Sequence, residues 1–317
     1  MNAREAASLP MRQVIYEYLK EQMAADDKIV VVNADLGTAC GVLGLKELYP
    51  DRTLNVGVAE ANMMSVAAGL ASYGYKPFVF TFAPFATRRA CDQLTISVSY
   101  AGLKVVVVGT DPGVSAQMNG GTHMGVEDTA IARAIPGILV FEPSDCGQYA
   151  EALPAIMDYP GPVFIRQLRK MTPPVYPALN GDFDLLRADL LKEGGDVTLI
   201  ASGVEIEQAM RAAGLLAEKG ISAEVIGVHT VKPLDIDTIL KSVEKTGCAV
   251  VCDNHNVVGG LCGAVAEALS LRRPTPLEYI GFQDCFGSVG KMAELQERFK
   301  MLSGDITEAA EKVIARK

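Results

Sequence analysis

Short, unbroken aliphatic runs recur along this chain, and each is followed by a stretch with helical spacing. Residues 28–33 (KIVVVN), 77–81 (PFVFT), 104–109 (KVVVVG), 138–142 (ILVFE) and 162–166 (PVFIR) lack the polar alternation that leaves one strand face in water. Such runs suit parallel strands covered on both faces. Between them, residues 60–73, 85–100, 125–134 and 146–158 space their apolar side chains as helices do. Alternating strand and helix signals predict a doubly wound α/β domain.

The pattern breaks at residues 171–186 (MTPPVYPALNGDFDLL), where prolines and then Asn180-Gly181 predict an extended linker. A second alternation follows, with strands expected at 197–201, 223–227, 249–252 and 277–280. Its helices are expected at 204–218, 260–269, 291–299 and 306–314. With 317 residues, two domains are expected, 1–185 with the trailing linker and 186–317, both doubly wound α/β.

The net charge of −9 offers no general attraction to nucleic acid or anionic lipid, so an anionic substrate needs local basic residues. No segment reaches the roughly 20 apolar residues needed to span a membrane. Residues 1–10 have no continuous apolar run, so no signal peptide is read there. The seven cysteines are scattered without metal-type spacing. Cys248 and Cys252 fall on one face of a strand-like run and are expected in the core. Together these features fit a reducing cytoplasm.

The most informative stretch is 54–94, LNVGVAEANMMSVAAGLASYGYKPFVFTFAPFATRRACDQL. Glu60 sits just after a glycine-containing turn and opens a helix of small residues. A strand follows, ending in the aromatic pair Phe82 and Phe85. By spacing alone Glu60 is a helix-start carboxylate favoured by the helix dipole. The two phenylalanines by themselves read as core packing at a strand end.

Taken together, VGVAEANM, AAGLA and TFAPF resemble the pyrimidine-binding domain of the transketolase family in type, order and spacing. VKPLD (231–235), DNHNVVGGLCGAVAEAL (253–269) and FGSVGKMAEL (286–295) resemble that family's C-terminal domain. The resemblance implies a thiamine-diphosphate fold in which Glu60 activates the cofactor. A protonated carboxyl there would donate to the pyrimidine ring nitrogen, which asks for a buried glutamate. Phe82 and Phe85 match the positions that hold the pyrimidine ring by aromatic contact. His123, in NGGTH, matches a histidine near the cofactor amino group and the substrate's reacting end, where it can move protons near pH 7. Arg12 and Arg169 match phosphate-binding positions, with Arg166 nearby. Asp35 matches an acidic position near the cofactor and the subunit contact, and is equally a turn former. Asn119 stands where transketolases commonly carry an aspartate that contacts a substrate hydroxyl. Arg88 stands where many have a further aromatic, and Thr110 or Asp111 where many have a histidine. These departures leave the sugar open, including one whose terminal group is not an ordinary phosphate.

Transketolases hold the cofactor diphosphate through Mg²⁺ in another α/β domain with a Gly-Asp-Gly signature. Gly181-Asp182-Phe183 fails at its third position, and this chain carries no comparable oxygen-ligand cluster. The resemblance therefore implies a separate partner subunit that holds the diphosphate and metal, with two copies of each subunit and the cofactor between them. The implied reaction is transfer of a two-carbon ketol unit from a ketose phosphate to an aldose acceptor. The beta subunit of a 2-oxo-acid dehydrogenase and a noncatalytic scaffold are the alternatives. His229 and His255 are read as structural. Gly259-Gly260-Leu261-Cys262-Gly263 lacks the spacing of a dinucleotide-binding loop.

Overall fold

The computed structural model describes residues 2–176 and 183–317. Its strands are β1 (Ile29–Asn33), β2 (Thr53–Asn55), β3 (Lys76–Phe82), β4 (Val106–Thr110), β5 (Leu139–Phe141), β6 (Val163–Gln167), β7 (Asp189–Lys192), β8 (Val197–Ala201), β9 (Ala223–Gly227), β10 (Thr230–Lys232), β11 (Ala249–Asn256) and β12 (Leu277–Phe282). One sheet runs β10-β5-β6-β4-β3-β1-β2 and the other β12-β11-β8-β9-β7. All pairings are parallel except β10 with β5 and β7 with β9. Each sheet is thus a parallel α/β core with one antiparallel edge.

The unbroken aliphatic runs are buried on both faces, as their composition predicts. Val31, Phe78, Phe80, Val106 and Val108 feed one layer, while the alternating Val32, Val79 and Val107 feed the other. The helix Met11–Ala25 covers the first layer through Val14, Ile15, Leu19 and Met23. The helix Glu60–Ser72 covers the second through Met63, Met64, Ala67 and Ala68. Its small residues let it lie close to the strands, which fixes Glu60 at the carboxyl end of the sheet. Cys248 and Cys252 are buried in one cluster, as their spacing predicts.

Three features depart from the sequence expectation. The helix expected at 85–100 is two π-helical segments, Phe85–Arg89 and Gln93–Tyr100. The short strands β2, β7 and β10 and the helix Ile236–Thr246 were not anticipated. β10 comes from the second half of the chain yet completes the first sheet, with Thr230 opposite Phe141 and Lys232 opposite Val140. A three-residue strand carries too little periodicity to read, and its partner is far away in sequence. Residues 171–176 have no regular structure, while the rest of the expected linker at 177–182, including Asn180-Gly181 and Gly181-Asp182, lies outside the described residues. Among the described residues, no helix is long and apolar enough to cross a membrane.

Candidate active site

Glu60 is delivered by a clamped turn. At the end of β2, Asn55 Oδ1 accepts from the backbone N–H groups of Asp35 (2.9 Å) and Gly57 (3.0 Å). Asn55 Nδ2 donates to Asp35 Oδ1 at 3.1 Å. Asp35 is exposed, with a left-handed φ of 64°, and it ties the end of β1 to the turn before Glu60. Gly57 sits at φ 75°, which a side chain would strain. The chain then enters the helix at Glu60, whose residue is only 3% exposed.

A buried carboxylate needs partners. Arg89 Nη1 lies 3.2 Å from both oxygens of Glu60. Thr81 Oγ1 stands 3.5 Å from Oε1. Glu60 thus accepts from both Arg89 and Thr81 in this structure. The Arg89 guanidinium also lies 3.9 Å from the centroid of the Phe85 ring. The π-helical turn carries Phe85 and Arg89 together, and such turns recur at functional sites.

Phe85 belongs to a three-ring cluster. Its centroid lies 5.9 Å from that of Phe82 and 5.3 Å from that of His123, and Phe82 and His123 are 5.8 Å apart. His123 Nδ1 is 2.9 Å from Thr122 Oγ1. Arg88 holds this turn from outside. Its Nη2 donates to the Thr122 carbonyl at 3.3 Å, and its Nε pairs with Glu127 at 2.7 Å. Arg88 is therefore a strut for the His123 segment.

Arg169 follows β6 and lies 5.3 Å from the Phe82 centroid. It is ion-paired with the buried Asp111. Burial pushes the Asp111 carboxyl up to about 6, against the pull of Arg169. Asp111 (φ 55°) and Gln117 (φ 51°) both hold left-handed backbone, a strain that concentrates at functional loops. Lys170 Nζ donates to Gln117 Oε1 at 2.9 Å. Asp111 and Arg169 also line a small cleft, closed from the second half by Gly203, Met292 and Gln296. Glu60 and the three rings do not line it, so Arg169 is the link between the two. Arg12 is exposed at the start of the helix Met11–Ala25, and its Nη1 donates to Ala39 O at 3.3 Å. Arg12 and Arg169 both act electrostatically on the Cys40 thiol, which burial pushes up to about 12. Asn119 is exposed at the end of the 3₁₀ segment Gly113–Asn119, ahead of His123.

Arg166 is corrected. It was expected near a phosphate, but its side chain is fully buried. Its Nε and Nη2 reach Asp128 at 2.8 and 3.1 Å, and its Nη1 reaches Glu142 at 2.7 Å. Nη2 also donates to Asn254 O at 3.0 Å. All its donors face protein, so it joins the two halves of the chain and has none left for a substrate. Asn254 in turn pins the loop after β4, with Oδ1 accepting from Val114 N at 2.9 Å and Nδ2 donating to Pro112 O at 3.1 Å. Gly113 is required there, because a Cβ would stand 2.0 Å from Asn254 Oδ1. His229 and His255 are both buried. His229 packs on Phe183 at 4.8 Å, and burial lowers it to about 4. His255 Nε2 accepts from Ala130 N at 3.3 Å.

The residues that sequence reasoning missed are Arg89, Asp111 as an ion-pair partner, and Asn254. A local signal existed for Arg89, because it stands four residues after Phe85, within reach on one helical turn.

Comparison with known proteins follows the same division of the chain. Residues 7–174 match the family described as "Transketolase, pyrimidine binding domain", and residues 186–306 match "Transketolase, C-terminal domain". A "6-deoxy-6-sulfo-D-fructose transketolase subunit SqwH" from Clostridium sp. (strain MSTE9) is 48% identical over 307 residues, covering 97% of this chain and 95% of that protein. A "Putative transketolase C-terminal section" from Methanocaldococcus jannaschii is 37% identical over 287 residues, 90% of each chain. Among solved structures, a "Split gene transketolase, inactive beta4 tetramer" superposes with a TM-score of 0.86 at 34% identity, covering 97% of this chain and 98% of that one. The clamped glutamate, the aromatic cluster beside it and these near-full-length similarities converge on one conclusion: the chain belongs to the transketolase family.

Proposed function

We propose that this chain is the cofactor-activating half of a thiamine-diphosphate-dependent transketolase. In this reading residues 1–185 form the pyrimidine-binding domain with its linker, and residues 186–317 the C-terminal-like domain. The observation that carries it is Glu60, a buried carboxylate at a helix start, 3.2 Å from a half-exposed arginine and beside the Phe82–Phe85–His123 cluster. Ring faces next to one carboxyl group, which accepts when ionised and donates when protonated, suit a planar aminopyrimidine.

Bound thiamine diphosphate supplies the nucleophilic carbon and electron sink needed to break and re-form a ketose carbon–carbon bond. Glu60 holds the proton that is shared with the pyrimidine ring nitrogen. Phe82 and Phe85 hold the ring by its faces. His123 moves a proton at the reacting end of the sugar, and Asn119 bonds a sugar hydroxyl. Arg12 and Arg169 hold the terminal anion. Asp35 keeps the Glu60 turn in place. Among the described residues, no group of three or more His, Cys, Asp and Glu side chains is placed to hold a metal ion. Mg²⁺ and the diphosphate are assigned to an N-terminal partner subunit, with two copies of each chain in the assembly and a cytoplasmic location.

The donor is a ketose whose far end carries a tetrahedral oxyanion. The similarity to a protein named for 6-deoxy-6-sulfofructose supports a sulfonate there as well as a phosphate. A guanidinium fork can meet the oxygens of either group. Assay of the assembled complex with sulfofructose, fructose 6-phosphate and xylulose 5-phosphate discriminates these donors. Glu60→Ala is expected to lower kcat by at least the 10²–10⁴-fold typical of a positioned acid–base group, while assembly persists. Turnover like that of the wild type would sink the mechanism.

A further inference from the structure

Resting on that reading, we infer that Arg89 is an internal stand-in for the aminopyrimidine and sets how tightly this chain accepts its cofactor. Three measurements carry the inference. Arg89 Nη1 is 3.2 Å from both Oε1 and Oε2 of Glu60. The guanidinium carbon is 3.9 Å from the Phe85 centroid, which is stacking distance. The side chain is 50% exposed, so the head group still meets water beside these contacts. A guanidinium is planar and carries N–H donors in a fixed fork. An aminopyrimidine is also planar, and it presents nitrogen to the same carboxylate and a π-face to the same ring. The two groups cannot occupy Glu60 and Phe85 together.

Their hydrogen-bond roles differ in a way that matters for function. Arg89 requires Glu60 to accept, whereas a pyrimidine ring nitrogen requires Glu60 to donate. Exchange of one for the other therefore requires Glu60 to take up one proton from solvent as Arg89 leaves with its charge. Arg89 can make this exchange because it sits on a surface-facing π turn, and its departure leaves a charged head group in water rather than a buried one. The neighbouring Arg88 cannot take its place, because it is engaged with Glu127 and the Thr122 carbonyl.

The inference predicts a gain where loss of a structural residue would bring a loss. Calorimetric titration of thiamine diphosphate with Mg²⁺ into the assembled complex reads the effect directly. Arg89→Met keeps the stem over Phe85 and removes the fork. Cofactor Kd is expected to tighten by about 5- to 30-fold, which is about 1–2 kcal/mol at about 1.4 kcal/mol per tenfold. Arg89→Lys keeps a charge near Glu60 without a planar fork, and its Kd is expected between the two. Unchanged or weaker binding by Arg89→Met, with the complex intact, would overturn the Arg89 assignment alone. Failure of the wild-type complex to bind thiamine diphosphate would overturn it together with the cofactor reading beneath it.

Discussion

Replacing Arg166 by Met should be among the most damaging single changes in this chain, and the damage should be to stability. The guanidinium is fully buried and serves Asp128, Glu142 and the Asn254 carbonyl, with Asp253 4.0 Å away. Methionine fills most of the volume but donates nothing. Three carboxyl groups would remain in a region where burial already pushes Glu142 well above the usual range with Arg166 in place. Breaking a buried pair from one side costs about 3–5 kcal/mol. One cation serving several carboxylates points to the upper end, against a total stability of about 5–15 kcal/mol for a typical protein. Urea unfolding followed by far-UV circular dichroism measures it. Without its guanidinium partner, Glu142 would keep its proton to higher pH than in the wild type. The deficit should therefore grow between pH 5 and pH 8, because the unfolded chain gives up that proton near pH 4 while the folded variant retains it. Adding Asp128→Asn and Glu142→Gln to Arg166→Met should recover much of the loss. A deficit under about 1 kcal/mol, with no pH dependence, would show that the hub is not paired as described.

Two further outcomes follow from the same geometry. Arg169→Met should raise KM for an anionic donor by about 10- to 150-fold, the worth of a charge-assisted hydrogen bond, and should affect a neutral ketose far less. Burial pushes Glu205 up to about 8, so the folded chain holds a proton that the unfolded chain loses near pH 4.5, and stability falls as pH rises between those values. Glu205→Gln should leave stability unchanged at pH 4 and raise it by on the order of 1–3 kcal/mol at pH 8, measured by urea unfolding at both.

The parts of this molecule legible in the sequence are those set by neighbours in the chain. β8 and β9 fall on the runs 197–201 and 223–227, because a buried parallel strand is written in consecutive residues. Glu60, Phe82, Phe85 and His123 were recognised because the local segments around them resemble transketolase motifs, and the fold brings the three rings within 6 Å of one another. What escaped depends on distant partners. Arg166 and Arg169 stand three apart, one at the end of a strand run and one just beyond it, and look alike in sequence. Residues of β6 alternate across the sheet, and the buried carboxylates of Asp128 and Glu142 lie on the side that Arg166 faces. Only Arg169, beyond the strand's end, turns toward Phe82. β10 could not be read because its pairing with β5 spans about ninety residues and involves only a short ladder.

These misread elements share a consequence for the site. β10, Arg166 and Asn254 are among the means by which the second half of the chain grips the first. Asn254 fixes Pro112 and Val114, on either side of the glycine that no other residue can replace. That loop begins at Asp111, and Asp111 orients Arg169 over Phe82. Among the described residues, the C-terminal half makes no hydrogen bond, ion pair or ring contact with the Glu60 cluster, yet it helps fix where Arg169 stands relative to the aromatic rings. Glu60 itself is set by another route, through Asn55 and Asp35 at the opposite side of the first sheet. Because the two routes share no hydrogen bond, damage to the second-half grip should reach the substrate anion before it reaches the cofactor.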